Sequence, residues 1–158
     1  MRTIVIADGL TKEFLSREQP FAASPTNVGR AEIDRLLGRG KAYGQGPLPT
    51  CLRAVAEESQ PDSGPRLIEL RSAGPVLEIL DPLLAQAKVL ASASNVIPWQ
   101  ELWGEISPED AGGESGLRFL VIGCHTEGRI LVLASYLRNV LGYAEVAVCP
   151  HQIGRAHV

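Results

Sequence analysis

Features that mark disulfide scaffolds, metal sites and membrane spans are scarce in this sequence. Its cysteines number three, at positions 51, 124 and 149, with no C-x-x-C spacing. An odd count without that spacing supplies neither a disulfide framework nor a zinc ribbon, and it suits a reducing compartment. No D-x-H-x-H or H-E-x-x-H pattern occurs, and His151 and His157 flank the chain end without partners, so no metal is expected. No organic cofactor is expected either. The G-x-x-x-x-G-K-[ST] spacing is missing, and no G-x-G-x-x-G follows the first apolar run. That run is interrupted by Asp8, too early for a signal peptide, and no later stretch reaches ~18 uninterrupted apolar residues. A basic surplus is missing too: 15 Lys and Arg against 18 Asp and Glu leave a net charge of −3 and no basic stripe. Nucleic acid and membrane are therefore not the expected partners, and a cytoplasmic protein acting on a small molecule is. Repeats and low-complexity tracts are also absent.

What remains is the composition of one globular domain. The 158 residues, 45% hydrophobic and 21% charged, predict a single core spanning 1–158. Thr3–Ala7 is a β-branched apolar run ending at Asp8-Gly9, which predicts a buried strand reaching a turn. Residues from about 16 to 49 are rich in Pro, Gly and Ser. They predict a long irregular excursion, with a short helix at Arg30–Leu37. A helix is expected over Leu48–Glu58, a second strand over Arg66–Arg71, a helix over Val76–Ala87 and a third strand over Lys88–Ala91. Trp99–Ile106 predicts a short helix, and Ser107–Gly116 an acidic loop. Arg118–Gly123 reads as a strand covered on both faces. Thr126 can cap a helix over Glu127–Leu141, whose apolar stretch Ile130–Ala134 predicts heavy burial, with Gly142 as its left-handed terminator. Ala144–Cys149 is the next strand. Strand–helix alternation of this kind predicts an α/β domain with a parallel sheet.

In open parallel sheets, ligands collect beyond the carboxyl ends of the strands. That rule selects Asp8 after the first strand, Arg71 at the end of the second, and Cys124, His125 and Thr126 after the fourth. Asp8 is either a desolvated acid or base or a cap for nearby backbone amides. Cys124 is either a thiolate favoured by a helix N-terminus or a small buried hydrophobe. His125 is either a base and pH-sensitive binding group or a solvent-facing turn residue. The glycine-rich, basic stretch Gly38–Gly46 reads as a mobile loop, with phosphate or nucleotide binding as the sharper alternative.

Two segments resemble the isochorismatase-like cysteine hydrolases, which include nicotinamidases. Ile4-Val5-Ile6-Ala7-Asp8 through Phe14-Leu15 is similar to that family's opening strand, catalytic aspartate and following Asp/Glu-Phe-Leu, with one extra residue in the turn. Gly123-Cys124-His125-Thr126-Glu127-Gly128 through Gly142-Tyr143 is similar to its Gly-x-x-Thr-x-x-Cys helix and terminal Gly-Tyr. The resemblance implies a three-layer α/β/α fold with an open, mostly parallel, Rossmann-like sheet. It also implies homo-oligomers, as is common in the family. The family's last strand and helix are not evident before the sequence stops at Val158.

Hydrolases of the family use an Asp–Lys–Cys triad. The resemblance puts Asp8 in the first role. Lys88-Val89-Leu90-Ala91-Ser92-Ala93 fits the family's Lys-x-x-x-Ser-Ala spacing, which nominates Lys88, although it would open its strand instead of ending it. Arg129 stands where the nucleophilic cysteine is expected. Arginine cannot be that nucleophile, and its fixed charge would pair with Asp8 if the two face each other. Three accounts follow. The thiol has moved to Cys124; or aspartate-only chemistry operates, as in isochorismatases that protonate a vinyl ether, with Arg71 and Arg129 holding an anionic substrate; or the fold serves as an inactive ligand-binding or assembly module. The leading expectation is a divergent hydrolase of a small anionic or amide-containing substrate, with Asp8 as general acid/base and Arg71, His125, Thr126 and Arg129 around the substrate.

Overall fold

The computed structural model describes residues 2–15, 34–38, 40–58, 65–72, 74–92, 96–106, 117–123 and 129–148, apart from the side chains of Glu13 and Phe14. The organising element is β1 (Arg2–Asp8), whose Ile4, Val5, Ile6 and Ala7 are at most 1% exposed. A strand so apolar on both faces is stable only between other strands with cover above and below. That is its position. Strands β2 (Arg66–Arg71), β3 (Lys88–Ala91), β4 (Leu117–Gly123) and β5 (Glu145–Val148) complete a sheet of order β3-β2-β1-β4-β5. Every pairing is parallel. The protein has an α/β fold with an open, all-parallel sheet.

Each face of the sheet carries its own apolar cluster, as the two-residue alternation of a strand requires. On one face, Ile4, Ile6, Ile68, Leu70, Phe119 and Val121 pack with Leu102 and Ile106 and with Ile130, Leu133 and Leu137. The first two of those partners come from α3 (Trp99–Glu105) and the residue after it; Leu133 comes from α4 (Leu131–Ser135). On the other face, Val5, Ala7, Leu67 and Ile122 pack with Leu36 and Leu37, with Leu80 and Leu84, and with Leu48, Leu52 and Val55 of α2 (Pro47–Glu58). The short helix α1 (Lys12–Leu15) follows β1, and an isolated antiparallel bridge joins Thr11 to Val76.

Several elements depart from the sequence expectations. Within the 16–49 excursion, residues 34–37 are helical, inside the short helix expected over Arg30–Leu37, and bury Leu36 and Leu37; α2 starts at Pro47, one residue before the expected Leu48. Residues 16–33 and 39 lie outside the described set. In the glycine-rich stretch, Gly40–Ala42 is a 3-10 turn, and the residues after it fold back on Leu37. The amides of Gly44 and Gly46 both bond the Leu37 carbonyl, those of Tyr43 and Gln45 bond Gly40 and Ala42, and Arg53 Nη2 donates to the Gly44 carbonyl at 2.6 Å. Amides committed inward are not arranged as a phosphate cradle.

The helix expected over Val76–Ala87 is only a 3-10 turn, Asp81–Leu84. Val76 is held in the bridge to Thr11, and Pro82 has no amide to continue a helical ladder. The helix after β4 is likewise not a uniform α-helix. Arg129 and Ile130 are π-helical, α4 follows, and Tyr136–Val140 forms a second π-helical turn closed by the Leu141 amide on the Tyr136 carbonyl. Heavy burial of Ile130–Ala134 holds for three of the five residues; Leu131 and Val132 are 38% and 52% exposed. The cause is geometric: only one side of the helix meets the sheet, and Ile130, Leu133 and Ala134 occupy it. Gly142 ends the helix at φ +80°. Tyr136 of the wide turn stacks with both indoles of α3, its ring centroid 4.3 Å from Trp99 and 6.0 Å from Trp103.

Candidate functional site

The strand order places a topological switch point between β1 and β4, because the chain proceeds outward through β2 and β3 on one side and through β5 on the other. Open α/β sheets bind ligands in the crevice beyond the strand ends at such a point. Asp8 and Gly123 are the last residues of β1 and β4 and are register partners there. Their backbones nearly touch. A Cβ on Gly123 would lie 1.8 Å from the Asp8 carbonyl oxygen, and the glycine sits at φ +131°, where side-chain-bearing residues are strained. The close approach of the two strand ends at Asp8 therefore requires glycine at position 123.

The Asp8 side chain is 6% exposed and is met by Arg129, whose Nε donates to Oδ2 at 2.7 Å. The same guanidinium continues to Ser92, Nη2 donating to Oγ at 2.6 Å. Ser92 directly follows β3, and its amide bonds the Arg71 carbonyl at the end of β2. Since β2 lies between β1 and β3, Arg129 spans the carboxyl ends of three strands from its seat at the start of the helix after β4. A π-helical turn at that seat is of the kind often found at functional sites.

Burial is the largest influence on the Asp8 carboxyl and lifts its pKa above the ordinary 3.8. The Arg129 charge, the Arg129 hydrogen bond and the Gly9 amide oppose that rise, while the charge of Glu69 adds to it. The group therefore holds a proton more readily than a surface aspartate, although a guanidinium stands against it. A carboxyl in that condition is suited to donating as well as accepting a proton.

The other candidates distribute differently. Arg71 does not join Asp8. Its Nε and Nη2 are engaged by Glu69 Oε2 and Oε1 at 3.1 and 2.6 Å. Asp8 shares its register level and sheet face with Leu70, so Arg71, one residue further on, belongs to the opposite face. Lys88 is exposed at the start of β3, two register positions before Leu90, which stands level with Leu70 and Asp8. A lysine there suits an edge strand that discourages further pairing. Cys124, His125 and Thr126 lie outside the described residues, as does Cys149; Cys51 is half-buried on α2. Among the described residues, no group of three or more His, Cys, Asp or Glu side chains converges. No described helix is long and apolar enough to cross a membrane.

Two residues of the site were not assigned a role from sequence. Ser92 follows the third strand and so falls under the strand-end rule, but the Lys-x-x-x-Ser-Ala spacing points to Lys88 at the other end of β3. Glu69 is completely buried in mid-strand, and a Glu flanked by Leu and Ile reads as a strand residue with no further signal. No protein-family model, curated protein or solved structure matches the chain.

Proposed function

We propose that the crevice at the ends of β1 and β4 is the active site of a divergent isochorismatase-like hydrolase. Its substrate is a small anionic or amide-containing molecule, and Asp8 is its general acid/base. The observation that carries this reading is the buried Asp8 carboxyl at the switch point, paired with a guanidinium at 2.7 Å yet shifted toward its protonated form. A buried acid able to hold a proton near a fixed cation can protonate a substrate while the cation balances negative charge. This chemistry requires no thiolate at position 129. Arg129 would hold the substrate anion, with Ser92 as its support.

A second reading is supported by the same pair: Arg129 satisfies Asp8 internally, as expected of an inactive homologue that binds a ligand or another protein. Turnover separates the two. Purified protein is offered small amides and vinyl ethers, and Asp8→Asn is compared with the native chain at matched folded concentration. The hydrolase reading expects a loss of at least ~100-fold in kcat/KM. Unchanged turnover in Asp8→Asn removes it, and a native chain inactive on both substrate classes favours the binding protein. The same proposal extends to a cytoplasmic, homo-oligomeric state. Three thiols without pairing motifs suit a reducing compartment, and Val132 and Val140, 52% and 63% exposed, offer apolar surface to another subunit. Light scattering at several concentrations tests the subunit count.

A further inference from the structure

Arg129 donates from Nε to Asp8 and from Nη2 to Ser92, at the ends of different strands. A free carboxylate can instead take two parallel N–H groups of one guanidinium, an arrangement stronger and more directional than a single bond. Asp8 meets Nε through Oδ2 alone, while the Gly9 amide also bonds its carboxyl. A mobile carboxylate is not tied to that strand end and can take the two-point arrangement instead. We propose that Arg129 is the receptor for the carboxylate of a small organic acid, that Asp8 fills this receptor in the resting protein, and that ligand binding displaces Asp8.

Displacement has a definite proton balance. The charged groups acting on Asp8 among the described residues are Arg129, from the helix after β4, and Glu69, from β2. Arg71 faces Glu69 in turn, and Ser92 adds only a neutral hydroxyl to Arg129. When a ligand carboxylate takes the guanidinium, Asp8 loses its cation, keeps the repulsion of Glu69 and gains a second negative neighbour. It then takes one proton from solvent, and no bond is made or broken. The ligand itself thus converts Asp8 into an acid. This inference rests on the reading of the switch point as the ligand site, not on hydrolysis. An inactive binding protein can show it, and an active hydrolase can lack it.

The probe is difluoroacetate, a carboxylate that stays ionised across the range used and carries its own fluorine NMR signal. Its dissociation constant is measured between about pH 5 and about pH 8 at fixed ionic strength for the native chain, Asp8→Asn and Arg129→Lys. Native affinity is expected to weaken as pH rises, by up to ~10-fold per unit. Asp8→Asn, which has no competing anion, is expected to bind at least ~10-fold more tightly near neutral pH and without that slope. Arg129→Lys, which keeps the charge and loses the fork, is expected to bind more weakly than the native chain. Calorimetry of the native chain in two buffers of different ionisation heat counts the protons directly and does not depend on any variant folding. Uptake approaching one proton supports displacement. Zero uptake, an Asp8→Asn affinity equal to the native one, or no binding by either protein overturns it.

Discussion

Asp8 and Arg129 are 121 residues apart in the chain and 2.7 Å apart in the fold. The pair joins the end of the central strand to the start of the helix after β4, so its charge state bears on stability as well as on the site. Because the folded pKa of Asp8 lies above the unfolded value of 3.8, its contribution to stability is fully present below that value. The contribution is lost as pH rises through the folded pKa. Denaturant unfolding of native chain and Asp8→Asn at a series of pH values should show the native chain losing stability relative to the variant as pH climbs through that window. A gap that widens in favour of the native chain would reverse the assignment.

Arg129→Met should raise the Asp8 pKa further, since the guanidinium acts to lower it. Carbon NMR of the Asp8 carboxyl reads this directly. The variant should also lose about 1–3 kcal/mol at neutral pH, where Asp8 is left buried with its main charged partner removed, and less in acid. An Asp8 titration that does not move would mean that the pair is not formed in solution.

Glu69→Gln should shift Asp8 the other way, toward a lower pKa, because the Glu69 charge is one of the influences raising it. The shift is expected to be smaller than that from Arg129→Met, as Glu69 is the last-ranked of those influences. The same variant deprives Arg71 of its anion; with Arg71 30% exposed and able to regain water, a loss of about 1 kcal/mol is expected. Carbon NMR and denaturant unfolding of one sample check both effects.

Gly123→Ala should be among the most damaging small substitutions in the sheet. The new Cβ would fall on the Asp8 backbone, which cannot rotate away as a side chain can, and the backbone at φ +131° is strained for alanine in addition. A loss of at least ~3 kcal/mol is expected, combining the backbone strain with the clash. Thermal unfolding within a few degrees of the native chain would show that the two strands do not approach so closely.

Amide hydrogen exchange tests the glycine-rich turn. The amides of Gly44 and Gly46, both bonded to the Leu37 carbonyl, should exchange more slowly than amides open to water. ATP should leave the melting temperature unchanged, since those donors are already used.

The sheet was legible because its strands are of the easiest kind to read. Ile4–Ala7 and Val121–Gly123 are unbroken apolar runs, and continuous burial leaves little alternative to an interior parallel strand. The helical segments were less legible where burial is one-sided or proline intervenes. Val132 is as apolar in sequence as Leu133 yet faces outward, and Pro82 reduced an expected helix to one 3-10 turn. At the site, the strand-end rule found Asp8, and motif spacing singled out Arg129. It could not show that Arg71 points to the opposite face with Glu69, because a buried partner two residues away in a strand leaves no mark beyond alternation. Ser92 became visible only once three strand ends lay side by side.

The order in which this sheet is synthesised differs from the order in which it is arranged. Of the five strands the central one is made first, but its neighbour β4 begins at Leu117 and the guanidinium that answers Asp8 comes later still. A chain interrupted before Leu117 carries the acid without its cation and the central strand with β2 alone beside it. The contact between Asp8 and Arg129 therefore forms only after β4 and the helical segment behind it have been made, and until then the central strand waits without its second neighbour.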